Sequence, residues 1–277
     1  MSAVHEPVRS AAAALADLEA RQKPFGAPRL KAAFIVALVV AFYLLAGYLV
    51  HFDLGRLASG LPKLGRWIVG AWPPDFAELP LFLRRTGETV AMAAIGTTLA
   101  VLIALPLAVL ASRNITPFPR LYYPTRWLLN ALRGIDSFVF ALLFVAAVGL
   151  GPFAGVLGIA FHTSGTAAKF FADQIESTNL GPYEAIRAAG ASGPAAVPFA
   201  LVPDILPLML STSLFWWEFN VRASTVLGVV GAGGIGQELK NSMDLLDFSR
   251  LFTIIAVILV AVTAIDWFSG WLRKRLV

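Results

Sequence analysis

Two pairs of opposite charges lie inside otherwise apolar runs. Arg133 and Asp136 are three residues apart, and Glu218 and Arg222 are four apart. Either spacing lets both side chains close on one helical face. A charge at mid-membrane costs about 2.5–3.5 kcal/mol on insertion scales, so such residues need a partner or a wet path. One reading is self-neutralised pairing that aids insertion and packing. The other is that Arg222, with Glu218 and the neighbouring Asn220, lines a path for an anion, as Arg133 and Asp136 would on their own run. On a further run, Gly158, His162, Gly165 and Lys169 recur at helical spacing and give one small, polar face. Close helix packing is the simpler role for the glycines. His162 suits packing and a place on the path equally.

This inventory points to holding an ion rather than to making or breaking bonds. Cysteine is absent, which excludes disulfides, thiolate metal sites and a thiol nucleophile. The other histidines, His5 and His51, are remote from His162, and the acids are scattered, so no metal site is expected. Gly231, Gly233 and Gly236 satisfy G-x-G-x-x-G. That fingerprint binds a dinucleotide only between a strand and a helix of a parallel sheet, and no strand–helix alternation surrounds it. The plainer reading is a flexible backbone turn at the membrane surface, open to contact with an external protein. The phosphate-binding pattern G-x-x-x-x-G-K-[ST] is also missing, so ATP hydrolysis by that loop is excluded for this chain.

Composition decides the class of element that must position these residues. The chain has 277 residues, 58% hydrophobic and 14% charged, with a mean hydropathy of +0.74. Soluble domains average roughly 25% charged. A span needs about 20 apolar residues, so the expected fold is an all-α integral membrane protein of about six transmembrane helices. The runs are Leu30–Val50, Thr89–Ala111, Trp127–Leu150, Pro152–Ala172, Ile205–Val230 and Leu251–Leu272. The third and fourth form a tight hairpin. Residues 1–29 form an N-terminal arm, with a short helix bounded by Pro7 and by Pro24 and Gly26. Residues 30–52 are the first transmembrane segment. Residues 53–85 form an outer loop with an interfacial helix, since Trp67 and Trp72 favour the headgroup region. Residues 86–277 form a core of five spans, interrupted by a polar segment, 173–203.

The net charge of +5 suits a membrane protein with basic cytoplasmic loops better than a nucleic-acid binder. With both termini cytoplasmic, thirteen Lys and Arg face inward and seven face outward. The inner set includes Arg113, Arg120, Arg126 and Arg187; the outer set includes Lys63, Arg66, Arg84 and Arg250. That imbalance favours cytoplasmic termini, although the first outer loop is more basic than the rule prefers.

The polar segment reads as helix, glycine turn, helix on the cytoplasmic side. Pro182 suits a first turn and Gly190 a position past a helix end. Between them Tyr183–Ala189 forms a short Ala-rich helix with a surface smooth enough for close approach. Ser192 is positioned to cap a second helix near Pro194. Glu184-Ala185-Ile186, Gly190 and Val202-Pro203 resemble the cytoplasmic loop signature of ABC importer permeases: Glu-Ala-Ala, three residues, Gly, nine residues, Ile, one residue, Leu-Pro. Ile186, Ala200 and Val202 depart from it, and Pro203 matches. Glu88-Thr89 through Leu105-Pro106-Leu107 resembles the family's first core helix. Phe144–Phe153, and Glu218-Phe219-Asn220-Val221-Arg222 through Gly236, resemble the phosphonate-type permeases. Relatives carry Pro-Glu where this chain has Asp136, a departure that suits a different oxyanion such as phosphite or hypophosphite.

The resemblance implies the type I ABC importer permease fold in a bacterial inner membrane. It implies a coupling loop made by Glu184, Ala185, Ile186, Gly190 and Pro203. The implied partners are two ATPase subunits, which hold ATP and Mg, a second permease copy or paralogue, a periplasmic binding protein and membrane lipid. ATP binding would draw the coupling helices together and open the spans outward, and hydrolysis would reset them. This chain would bind no cofactor of its own. Two alternatives remain: an ABC permease for another small solute, and an ion-coupled secondary transporter. The latter favours internal repeats and broken helices at matched positions, and neither is legible in the sequence.

Overall fold

The computed structural model describes residues 29–276, so the expected N-terminal arm and its expected short helix lie outside the described residues. The described part divides into two units between Leu64 and Gly65. In the first, α1 spans Arg29–Leu49, and its apolar side chains, Phe34, Ile35, Leu44 and Leu45 among them, are exposed. α2, Leu54–Gly70, crosses the division.

The second unit continues with α3 (Leu79–Ala111), α4 (Tyr122–Gly134), α5 (Ser137–Val148), α6 (Pro152–Ser177), α7 (Gly181–Ala188), α8 (Gly193–Ala200), α9 (Val202–Leu227), α10 (Ile235–Asp244) and α11 (Phe248–Leu276). A short 3₁₀ turn, Pro119–Leu121, precedes α4, and a wide turn, Gly228–Ala232, follows α9. Among the described residues there is no strand.

The centre of this unit is the contact of α3 with α6. α3 presents Ala93, Gly96, Ala100, Ala104, Ala108 and Ala111 along one buried stripe. Small residues let helices approach closely in lipid, where no hydrophobic drive brings them together. At Gly96 the approach is so close that a β-carbon would lie 2.8 Å from Ile159 Cγ2. Fifteen of the 26 residues of α6 are buried, because α3, α4, α5 and α9 all pack around it.

Among the described residues, α1, α3 and α11 are individually long and apolar enough to cross a membrane, with one further bent pair, residues 119–148, passing together. That is fewer than the six expected. The difference lies in α6 and α9, 26 residues each, which at 1.5 Å per residue are about 39 Å long. They carry more polar residues because much of their surface faces protein. The expected hairpin is present, closed by Gly149 and Gly151 at φ +94° and +136°.

The continuous third span is not. Its run breaks between α4 and α5 with an 85° bend. Ile135 is extended and the Asp136 carboxylate accepts from Phe138 N at 2.8 Å, capping α5. Arg133 and Asp136 therefore sit on different helices and do not close on one face. A broken helix, which sequence inspection did not reveal, is thus part of the fold.

Close packing at Gly96 yields an internal comparison on one helix. Gly96→Val should lower the thermal midpoint of the detergent-purified protein, at an overpacking cost of about 1–3 kcal/mol. Gly87→Val, where a β-carbon meets nothing within 4 Å, should leave it near wild type. Equal midpoints would contradict the α3–α6 contact.

Candidate functional site: a helical loop and three polar clusters

At one end of the bundle, α7 ends in a turn set by Gly190. Gly190 N donates to the Arg187 carbonyl at 3.0 Å and Ala191 N to the Ile186 carbonyl at 3.3 Å. These two bonds form a Schellman motif, and Gly190 takes the left-handed conformation it needs, φ +97°. Glu184 and Ala185 are exposed. Ile186 points the other way and packs, with Leu180, Tyr183 and Val197, against the alanine-rich core of α3 and α6. Pro203 lies in the first turn of α9, which follows α8 after the single residue Leu201. Ser192 occupies the cap position of α8, but its hydroxyl makes no cap bond; only its carbonyl accepts, from Ala196 N at 3.1 Å.

The basic loop after α3 lies at this same end. Arg113 N donates to Glu176 Oε1 at 2.7 Å, and Arg126 bridges Glu176 at 2.9 Å and Asp173 at 3.4 Å. Arg126 also donates to the Ala111 carbonyl at 3.0 Å, tying α4 to the end of α3.

The bend between α4 and α5 is the second cluster. His162 Nδ1 lies 2.7 Å from the Ile135 carbonyl, the group that the break frees from helical bonding. Gly165, one turn away, lets α6 approach: a β-carbon there would lie 3.1 Å from Arg133 N. His162 thus lies against the bend that Arg133 and Asp136 flank. Arg133 and Asp136 are exposed, and neither has an ion-pair partner among the described residues.

The third cluster joins α9 to α11. Glu218 accepts from Arg222 at 2.6 Å and from Arg273 at 2.8 Å, and Arg222 reaches Asp266 at 3.7 Å. Two acids thus face two bases. The i,i+4 pair is present as its spacing suggested, but it is half of a cross-helix network. Asp266 and Arg273 were missed: Asp266 is an acid inside the last apolar run, a signal available in the sequence, and Arg273 belongs to a basic end that reads as a tail. Asn220, fully buried, donates to Thr97 Oγ1 at 2.9 Å and Thr163 Oγ1 at 3.1 Å. Its amide ties α3, α6 and α9 together and lines no open surface. Nothing in the sequence singles out those two threonines.

At the far end of the bundle, the glycine-rich stretch is a packed turn and not a flexible one. Gly231, Gly233 and Gly234 all have positive φ. Gly151 N donates to the Gly231 carbonyl and Ile235 N to Thr89 Oγ1, both at 2.9 Å. Nearby, Arg250 joins Glu238 at 2.7 Å and Glu78 at 2.8 Å. No group of three or more potential metal ligands occurs among the described residues.

The family model for the "Binding-protein-dependent transport system inner membrane component" matches residues 96–277. The chain belongs to that family. It is a multi-pass inner-membrane permease subunit of an ABC importer, a transport component, with ATP hydrolysis left to a separate ATPase. HtxC of Stutzerimonas stutzeri, provisionally named a phosphite transport system permease protein, is 47% identical over 88% of this chain and 87% of its own. The phosphite transport system permease protein PtxC of the same organism is 42% identical over 87% of this chain and 88% of its own. Among solved structures, the MetNI methionine ABC transporter in an inward facing conformation superposes with a TM-score of 0.64. It covers 73% of this permease and 99% of that chain at 21% identity, a likeness of fold alone. Membership of the family implies that the permease works with an ATPase, a second permease and a binding protein.

The charge network predicts an asymmetry. Glu218→Leu leaves Arg222 and Arg273 without their shared acid and should destabilise the permease by about 3–5 kcal/mol. Adding Arg273→Leu restores the balance and should recover part of that loss. Thermal unfolding in detergent checks both, and a double variant no better than the single one would refute the network.

Proposed function

We propose that this permease carries a phosphorus oxyanion, phosphite or a close relative such as phosphonate or hypophosphite. In this reading it forms a complex with two ATPases, a second permease and a periplasmic binding protein. The two phosphite-named relatives, each matched over most of its length, support the substrate class. The observation that carries the coupling role is the exposed face of α7. Glu184 and Ala185 are free to meet a partner, while Ile186 anchors the same helix to the core. An eight-residue helix is marginal alone, so its flanks and a docked ATPase must hold it. Because α8 runs almost directly into α9, a push on α7 is delivered to the helix that carries Asn220 and Glu218.

In this reading the α7–α8 end faces the cytoplasm, together with Arg113, Arg120 and Arg126, and both chain termini lie on that side. Ala185→Trp should block close approach, and Gly190→Val should strain the left-handed turn. Each should abolish substrate-stimulated ATP hydrolysis by the reconstituted complex while the permease still inserts. Wild-type stimulation in both variants would remove the docking role and the orientation with it.

For the anion we favour the bend of α4 and α5 over the Glu218–Arg222 region. Arg222 is already neutralised by two acids, whereas Arg133 is an exposed cation without an ion-pair partner among the described residues, beside a helix break braced by His162. Asp136 holds the first turn of α5, and the guanidinium is the group suited to an oxyanion. A charged hydrogen bond contributes about 1.5–3 kcal/mol. Arg133→Gln should therefore reduce uptake by roughly ten- to hundredfold with assembly intact. Unaltered uptake would exclude Arg133 from the path.

A further inference from the structure

α2 has two faces of different chemistry. Leu54, Leu57, Leu61, Leu64 and Ile68 follow at helical spacing along one side, each at least half exposed. Arg56, Lys63 and Arg66 share the opposite side, and the helix contains no acid and no buried residue. Asp53 stands just before it, accepting from Gly55 N at 2.7 Å and bridging Arg56 at 3.4 Å. Lys63 and Arg66 have no acidic partner among the described residues.

The helix is also tied at its C-terminal end. It begins five residues after α1, one of the membrane-crossing helices, ends. At its other end, Trp67 stacks on Phe248 with ring centroids 5.2 Å apart. Ser249 Oγ donates to the Gly70 carbonyl at 3.4 Å. Phe248 opens α11, a second helix able to cross the bilayer. With its C-terminal end beside the start of α11, this 17-residue helix is suited to lie along the membrane surface. An amphipathic helix with a leucine row, a basic face and a tryptophan at the boundary is suited to the headgroup–acyl border.

We propose that α2 is a docking surface for anionic phospholipid. Its leucine row enters the acyl border, and Lys63 and Arg66, with Arg56 partly shared by Asp53, bind headgroup phosphates. The charge complementarity identifies the occupant. A zwitterionic surface would satisfy the leucines and leave the cations without counter-charge. A basic first outer loop, at odds with a simple charge-sided topology, is then explained by lipid binding.

The absence of cysteine from the chain makes the test direct. Leu61→Cys in the full chain carries a single spin label, and the protein is placed in nanodiscs of phosphatidylcholine alone or of equal parts phosphatidylcholine and phosphatidylglycerol. Label accessibility to oxygen and to a water-soluble nickel chelate reports its depth. With phosphatidylglycerol present, oxygen should dominate. In phosphatidylcholine alone the balance should shift toward the chelate. Lys63→Gln with Arg66→Gln should abolish the difference, with each cation changing the lipid-facing population about fivefold. The same depth in both lipids would overturn the anionic preference. A label shielded from both reagents would mean that protein covers the row, and a label open to the chelate in both lipids would mean that nothing does; either result overturns the proposal.

Discussion

The close approach of α3 and α6 is the contact on which the remaining arrangement depends. Alanine and glycine along α3 bring the two backbones near enough for Ile159 to fill the space beside Gly96. With α6 enclosed by its neighbours, its polar residues are removed from lipid. Thr163 can then bind Asn220, His162 can brace the α4–α5 bend, and Gly165 can admit the α4 backbone. A bulkier α3 stripe would push α6 outward and expose each of these groups to hydrocarbon, where an unsatisfied polar group costs several kcal/mol.

Two groups of charges on the bundle's apolar runs then behave differently. Glu218, Arg222, Asp266 and Arg273 neutralise one another between α9 and α11 and hold those helices together. Arg133 and Asp136 do not pair, and they flank the 85° bend between α4 and α5. This division separates charges that bind α9 to α11 from charges left exposed and unpaired at the bend. It also connects the α7–α8 loop to the interior, since α9 starts just after α8 and carries half of the neutralised network.

The class of fold was legible in composition and in the lengths of apolar runs. The α7 helix and its turn were legible because Tyr183–Ala189 and Gly190 are local signals: a short helix and its stop require no knowledge of distant residues. The break before α5 was written in the sequence as Gly134 followed by Asp136, a helix end and a helix cap, but the apolar run around it hides the signal. The partners of Glu218 and Asn220 were not legible. Arg273 lies 55 residues from Glu218, and Thr97 lies 123 from Asn220, so those pairings exist only once the helices are packed. Ser192 shows the opposite failure, a residue of capping type at the cap position whose hydroxyl makes no cap bond.

We propose that this permease moves a phosphorus oxyanion under the power of a separate ATPase. The most direct measurement is uptake of radiolabelled phosphite into proteoliposomes holding the permease and its ATPase, with ATP enclosed and binding protein outside. The account predicts uptake that requires both ATP and binding protein and is unaffected by collapse of the proton gradient. Uptake by the permease alone, driven by an ion gradient without ATP, would contradict it.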